Sequence, residues 1–206
     1  MRLVLLSDTH RMHDRIIIPD GDVLVHAGDF CGHGKQSQAQ AFAKFFQALP
    51  HRHKVVIAGN HDRCLELEPK LGREIFAGCH YLLDSGVEID GLRFWGSPWQ
   101  PWFLDWAFNL PRGAALRAKW DLIPTDTDVL VTHGPPRGIL DRTFADEAVG
   151  CDDLRDVVDR IRPRLHVFGH IHEGYGTVDL NGTKFVNASI CTLSYAPTNP
   201  AVVVDL

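Results

Sequence analysis

The 206-residue sequence lacks the features that mark several specialised classes of protein. It has no apolar stretch near the ~18 residues that a membrane-spanning helix requires, and no charged-then-apolar leader precedes its first apolar run. It has no basic excess, because its formal net charge is −5, so nothing in it indicates binding to nucleic acid or to an anionic membrane. We therefore expect a cytoplasmic protein.

The sequence is also poor in cysteine, with five residues that form no Cys-x-x-Cys pair. An odd, scattered set of this kind argues against a disulfide framework and against a thiolate zinc site. The sequence shows no internal repeat, low-complexity run or flexible linker. We therefore expect one domain over residues 1–206, long enough to bury a single large core.

Short apolar runs alternate with amphipathic segments along the chain. Five runs predict buried strands, at residues 3–6, 22–26, 54–58, 128–132 and 165–168. The spacing of apolar residues predicts helices over 36–49, 112–121 and 154–161, and turn residues predict hairpins over 87–95 and 177–186. This alternation is typical of an α/β fold.

Each of the five predicted strands is followed by side chains that can bind a metal ion. In order, these are Asp8-x-His10, Gly28-Asp29, Gly59-Asn60-His61-Asp62, His133 and Gly169-His170-x-His172. Open α/β sheets place their sites at the carboxyl ends of strands, where these residues would gather. Any one motif has an ordinary structural explanation, such as a turn or a helix cap, but the ordered set does not.

This ordered set resembles the signature of the calcineurin-like metallophosphoesterases. Residues 96–99, 132–136, 166–176 and 187–189 further resemble the small metallophosphoesterase-domain branch of that family. Some members of the branch lack one metal-binding histidine, whereas His170 and His172 are both present here. The resemblance implies a four-layer αββα sandwich and a full two-metal site.

The resemblance also implies how the ligands are shared. Asp29 would bridge two ions, with Asp8, His10 and His172 completing one site and Asn60, His133 and His170 the other. Oxygen and imidazole donors suit Mn, Fe, Zn, Ni or Co better than Ca or Cu(I). We therefore expect two divalent or trivalent transition-metal ions, with manganese as the leading candidate. Two divalent ions and two carboxylates leave a charge of about +2, which favours binding of a phosphate ester.

In the mechanism that the resemblance implies, a hydroxide between the two ions attacks phosphorus in line. His61 is not a ligand in the pattern and would assist departure of the leaving group. Asp62 beside it would hold the ring in the required tautomer, or alternatively would cap a following helix over residues 64–71.

Other residues are candidates for substrate contact or for the core. His33 and Arg63 lie close in sequence to the predicted ligands and could meet the phosphate. Trp99 and Trp102 belong to an aromatic stretch that is either a hydrophobic plug over the sheet edge or a wall for a substrate ring. Of the remaining histidines, we expect His26 to be a hydrogen-bonded core residue and His166 to be a solvated or capping residue.

The leading functional hypothesis is a phosphodiesterase that acts on a small phosphate ester such as a cyclic nucleotide. The alternatives are a monoesterase or pyrophosphatase on another small metabolite, or a metal-binding scaffold with a decayed site. A metallo-β-lactamase-type hydrolase is disfavoured because the sequence has no His-x-His-x-Asp-His run. The expected partner is the small substrate, and the oligomeric state is not predicted.

Overall fold

Two stacked β-sheets form the centre of the computed structural model, which describes residues 1–206. The strands are β1 (Arg2–Leu6), β2 (Val23–His26), β3 (His53–Val56), β4 (His80–Tyr81), β5 (Ser85–Ile89), β6 (Leu92–Ser97), β7 (Gln100–Pro101), β8 (Asn109–Leu110), β9 (Val129–Thr132), β10 (Leu165–Phe168), β11 (Gly176–Leu180), β12 (Thr183–Asn187) and β13 (Val202–Asp205). The α-helices are α1 (Gln36–Ala48), α2 (Arg63–Leu67), α3 (Pro69–Ile75), α4 (Ala114–Trp120) and α5 (Asp152–Ile161).

Most neighbouring strands within each sheet run parallel. The first sheet has the order β13-β1-β2-β3-β4, with only β13 antiparallel, and the second has the order β11-β12-β10-β9-β6-β5, with antiparallel strands at both edges. A short parallel pair, β7 and β8, lies outside both sheets. Parallel strands that are buried on both faces explain the continuous aliphatic runs in the sequence.

Three hydrophobic clusters define the four layers. The first lies between the sheets and joins Leu5 of β1 and Val25 of β2 to Val131 of β9. The second packs α1, α2 and α3 on the outer face of the first sheet, and the third packs α4 and α5 on the outer face of the second. The predicted αββα sandwich is confirmed.

The element boundaries largely follow the hydrophobic pattern. The predicted helix over 36–49 is α1, and the Asp90-Gly91 and Asn181-Gly182 turns join β5 to β6 and β11 to β12. The single helix expected over 64–71 is instead two helices that meet at Glu68. Proline has no amide hydrogen to continue the first helix and is well suited to begin the second, where Pro69 lies.

Two buried histidines belong to the core. His26 behaves as predicted: its Nε2 lies 3.0 Å from Thr9 Oγ1, and its Nδ1 accepts a hydrogen bond from the Gly28 amide. The expectation that His166 is solvated is wrong, because its ring is fully buried on the helix-covered face of β10 beside Phe168. Burial lowers the pKa of each histidine to about 3.

No helix is long and apolar enough to cross a bilayer.

The buried His166 predicts a pH dependence of stability. Its pKa is about 3 when folded and near 6.5 when unfolded, so the unfolded chain binds the extra proton between these values. Stability is therefore retained above pH 6.5 and falls as the pH drops below it. Relative to wild type, His166→Gln should reduce the loss of unfolding free energy between pH 7.5 and 5.0 by about 2 kcal/mol.

Urea denaturation of both proteins, in the presence of a chelator, measures this difference. The other histidines titrate equally in both proteins and cancel in the comparison. Identical pH dependence of wild type and variant would mean that His166 takes up its proton over the same pH range in the folded and the unfolded chain.

Candidate metal centre

The carboxyl ends of strands from both sheets meet at one rim, and the seven predicted ligands gather there. One ligand atom from each of Asp8, His10 and His172 lies within 4.8 Å of the others, and the same holds for Asp29, His133 and His170. Asn60 Oδ1 lies 2.9 Å from His133 Nε2. The two groups contain residues that the resemblance assigns to separate ions, and a third group joins Asp29 to His10 and His61.

Backbone carbonyls fix the orientation of three of these imidazoles. The Nδ1 atoms of His10, His133 and His172 lie 3.3, 2.9 and 3.0 Å from the carbonyl oxygens of Cys31, Ala27 and Thr192. A carbonyl can only accept a hydrogen bond, so each Nδ1 carries a proton, and in the neutral ring each Nε2 presents a lone pair to the rim. A histidine that binds a metal ion through Nε2 has this form.

The donor atoms are complementary to a cation. His10 Nε2 and His172 Nε2 lie 3.2 Å apart, a distance at which two lone pairs repel unless a proton or a metal ion lies between them. Asp8 Oδ1 is buried and has no hydrogen-bond partner, although His172 Nε2 lies 3.3 Å away. A buried carboxylate oxygen without a hydrogen-bond partner and converging nitrogen lone pairs are donor atoms suited to a centre of two divalent metal ions.

The pKa values of the rim histidines reflect their burial and their closeness to the two carboxylates. Burial lowers the pKa of His133, but the charge of Asp29 and its hydrogen bond outweigh burial and raise that pKa to about 9. His172 is likewise raised to a pKa of about 9, against its burial, by Asp8. Burial lowers the pKa of His170 to about 3 and that of His10 to about 4. Two imidazoles thus hold protons beside the two carboxylates.

The loops that carry the ligands adopt unusual backbone conformations. Four of the seven candidate ligands have a positive φ, namely Asp8 (53°), His10 (41°), Asp29 (60°) and His170 (67°). Left-handed conformations at residues other than glycine are uncommon and cluster at functional sites. Close approach also requires glycine nearby, since a Cβ at Gly169 would collide with Asp8 Oδ2. Backbone strain is therefore concentrated at this rim.

His61 faces the same rim without belonging to the seven. Its Nδ1 lies 2.7 Å from the carbonyl oxygen of Gly32, and its Nε2 lies 4.0 Å from Asp29 Oδ2. Trp106 stacks on one face of the ring at a centroid distance of 4.1 Å. The Gly32 carbonyl accepts the Nδ1 hydrogen, so Nε2 points toward the cavity beside the ligands.

The structure corrects both interpretations of Asp62. Its carboxylate does not contact the His61 ring, which Gly32 orients, and it does not cap α2. It is fully buried and accepts hydrogen bonds from the amides of Asp29, Cys31 and Gly59 at 2.8 to 2.9 Å. Burial and the charge of Asp29 raise the pKa of Asp62 to about 7. Asp62 therefore ties together the loops that carry Asp29 and Asn60.

Of the four residues predicted to contact substrate, three lie elsewhere. His33 is exposed and lines neither the small cavity at the ligands nor the larger cleft beside it. Arg63 donates to the carbonyl of Asp105, and Trp99 packs inside, donating to Asp84 Oδ2 with Lys119 over its ring. Trp99 is thus part of the hydrophobic plug. Only Trp102 lines the cleft, in agreement with the alternative of a substrate wall.

Several site residues escaped the sequence analysis. Ser189 Oγ donates to Asp8 Oδ2 at 2.9 Å, and the Tyr195 ring packs edge-on against His10 at 4.7 Å. Phe103 and Leu193 line the cavity of about 150 Å³ that contains Asp29 and the rim histidines. The sequence does contain a signal for Ser189, since it follows a strand and lies in a stretch that resembles the family.

Comparison with known proteins points to the same family that the sequence motifs resemble. The sequence profile described as calcineurin-like phosphoesterase matches residues 1–174. The human protein named metallophosphoesterase domain-containing protein 1 is 46% identical over 230 residues, covering 100% of this chain and 71% of the human protein. A UPF0046 protein of Caenorhabditis elegans is 39% identical over 205 residues, covering 93% of this chain and 70% of its own.

Solved structures share the fold at low sequence identity. Phosphopantetheinyl hydrolase from Mycobacterium tuberculosis has a TM-score of 0.67 at 16% identity, covering 97% of this chain and 95% of its own. An archaeal phosphodiesterase has a TM-score of 0.53 at 16% identity, covering 100% and 93% respectively. At these identities the likeness shows the fold alone.

The three amide contacts of Asp62 predict a cost for replacing it. An asparagine has one acceptor oxygen, and its amide hydrogens would oppose at least one of the three donors. Asp62→Asn should therefore lower the free energy of unfolding by about 3 kcal/mol, as measured by urea denaturation at pH 7. Asp20→Asn, at an exposed carboxylate, is the control and should change stability by less than about 0.5 kcal/mol. Equal effects of the two substitutions would contradict this role.

Proposed function

Because the chain belongs to the calcineurin-like phosphoesterase family, we propose that it is a metal-dependent phosphodiesterase that hydrolyses a small phosphodiester such as a cyclic nucleotide. The proposal includes two ions, with manganese the leading candidate. It also includes Asp8, His10, Asp29, Asn60, His133, His170 and His172 as ligands. It places the reaction in the cytoplasm, with support from five free cysteines, which fit a reducing compartment.

One observation favours a diester over a monoester. The cavity at the ligands is lined by Asp29, Asn60, His61, Phe103, His170, His172, Leu193 and Tyr195, with no lysine or arginine among them. A monoester dianion carries two charges that must be balanced, whereas a diester carries one. Two divalent ions, two carboxylates and the hydroxide nucleophile would together carry a charge of about +1, which suits the singly charged substrate.

The chain's own residues divide the chemistry between them. Two divalent cations held by the seven ligands would supply positive charge to the phosphate oxygens and lower the pKa of a water molecule between them. Asp8 and Asp29 confine that charge to one rim, and the backbone carbonyls behind the imidazoles keep the donor atoms in place. The aromatic rings of Phe103 and Tyr195 line the cavity beside these ligands.

His61 serves as the acid for the leaving group in this proposal. Its Nδ1 is held by the Gly32 carbonyl, so a protonated ring can give up only the Nε2 proton, and Nε2 lies on the cavity side. The side chain is about 12% exposed, so the proton can be replaced from solvent after turnover. Stacking on Trp106 holds the ring plane and stabilises a positive charge on it.

The first test removes this acid. His61→Ala should lower kcat for bis(p-nitrophenyl) phosphate with added Mn²⁺ by roughly 100-fold and leave the bound metal unchanged. His33→Ala, at an exposed histidine outside the cavity, is the matched control and should stay within about twofold of wild type. Unaltered turnover after His61→Ala would remove His61 from the mechanism. A wild-type chain without turnover on any divalent metal would be a scaffold rather than an enzyme.

The second test removes the carboxylate between the two groups. Asp29→Ala should release both metal ions, because that carboxylate is shared and its loss leaves each group with fewer ligands and less negative charge. Metal content after dialysis, measured by atomic absorption, should fall from about two ions per chain to near zero. His61→Ala serves as the control that retains metal, and a full metal complement in Asp29→Ala would refute the bridging role.

A further inference from the structure

A cleft of about 370 Å³ adjoins the small cavity of the candidate metal centre. Phe103, His170 and Leu193 line both spaces, so a molecule bound at the ligands can extend into the cleft without crossing solvent. The cavity at the ligands, about 150 Å³, has room for a phosphoryl group but not for two large ester groups. The cleft has the volume of ordinary small-molecule sites.

The wall of the cleft is aromatic and held in place. Trp102 is 63% exposed and Phe103 50% exposed, which leaves large apolar surface uncovered beside the rim. Asn109 fixes the loop that presents them: its Nδ2 donates to the carbonyls of Phe103, Leu104 and Trp106, each at 3.1 Å. A flat aromatic ligand would cover this surface without requiring the loop to reorganise.

The polar groups of the cleft are mainly acceptors. Glu173 lines it and forms no ion pair, and its Oε1 is oriented by the Phe144 amide, which donates to it at 2.7 Å. Thr143 also lies on the lining, but its Oγ1 atom is covered by protein atoms and does not face the cleft.

The single cation of the lining, Arg112, is already engaged. Its guanidinium donates to the carbonyls of Gly150 and Val149, each at 2.7 Å, and pairs with Asp152 at 3.3 Å. The cleft therefore offers a carboxylate to a ligand, but no uncommitted positive charge. A group with N–H donors or a positive charge is favoured there, and a second anion is repelled.

We infer that this cleft binds the second ester group of the substrate and that Glu173 makes it select an aromatic group with N–H donors and no negative charge. The inference rests on the proposed phosphodiesterase function, since a second ester group exists only in a diester. It assigns Glu173 to specificity rather than to the reaction, because Glu173 does not belong to the ligand set.

Three isosteric probes without phosphate test the cleft apart from catalysis. Benzamidine, benzamide and benzoate carry charges of +1, 0 and −1 on the same ring, and their binding to the full chain loaded with Mn²⁺ is measured by calorimetry. We expect affinity to fall in that order. Glu173→Gln keeps an oxygen for the Phe144 amide, and it should weaken benzamidine binding by about fivefold and leave benzamide unchanged. The carboxylates of Asp8 and Asp29 are present in both wild type and Glu173→Gln. Any benzamidine that binds at the metal centre therefore contributes equally to both measurements.

Two further variants separate the parts of the site. Phe103→Ala should weaken all three probes, because it removes the ring wall and not the charge. Glu74→Gln, at an exposed glutamate on α3, is the matched control and should change none of them. Equal binding of benzamidine and benzamide by wild type, or an unchanged benzamidine affinity in Glu173→Gln, would overturn the inference.

A kinetic comparison connects the cleft to the substrate. Wild type should hydrolyse phenyl p-nitrophenyl phosphate with about fivefold higher kcat/KM than its 4-carboxyphenyl counterpart, and Glu173→Gln should remove most of that difference. Equal kcat/KM for the two esters in wild type would contradict the inference. Absence of turnover on both esters, with the probe preferences intact, would contradict the proposed function and leave the charge selectivity of the cleft standing.

Discussion

Two carboxylates buried at one rim are the constraint on which the rest of this site depends. Asp8 is fully buried and Asp29 nearly so, and a charge removed from water is costly unless opposite charge and hydrogen bonds replace the lost hydration. In the chain alone, protonated His133 and His172 provide that replacement. A pair of divalent cations provides it more fully, because each can contact several of the crowded donor atoms at once. The buried negative charge and crowded donor atoms that are unfavourable in the metal-free chain are therefore the same features that favour binding of metal ions.

The backbone of the loops keeps this charged arrangement in place. Carbonyl groups behind three imidazoles, the three amides that donate to Asp62, and left-handed residues at four ligand positions all act before any ion binds. Contacts between the sheets add to this, since Ser189 and the amide of His170 both donate to Asp8 Oδ2. The ligand geometry is therefore a property of both sheets together, and a shift between them would spread the donors apart.

The sequence was most informative where residue type alone determines the outcome. Buried parallel strands require continuous aliphatic runs, so β1, β2, β3, β9 and β10 were evident, as were the candidate ligands that follow them. Asp62 was misinterpreted because its partners are backbone amides, which every residue possesses and no motif reveals. His33 was selected because it lies close in sequence to the predicted ligands, whereas the structure uses the carbonyl of the neighbouring Gly32 to orient His61. Trp99 and Trp102 were indistinguishable in sequence, since only packing decides which one faces a cavity.

The division between the rim and its neighbouring cleft follows from how each is built. The ligands lie directly after core strands, where the two sheets leave little freedom, so the reaction centre is fixed by the fold. Phe103, Thr143 and Leu193 instead lie in irregular segments that cross the surface, where substitutions cost little stability. Only the shared walls, above all Phe103 and His170, connect the two spaces. In the proposed function, the same metal chemistry would therefore be directed to different esters by changes in these segments, which leave the buried carboxylates untouched.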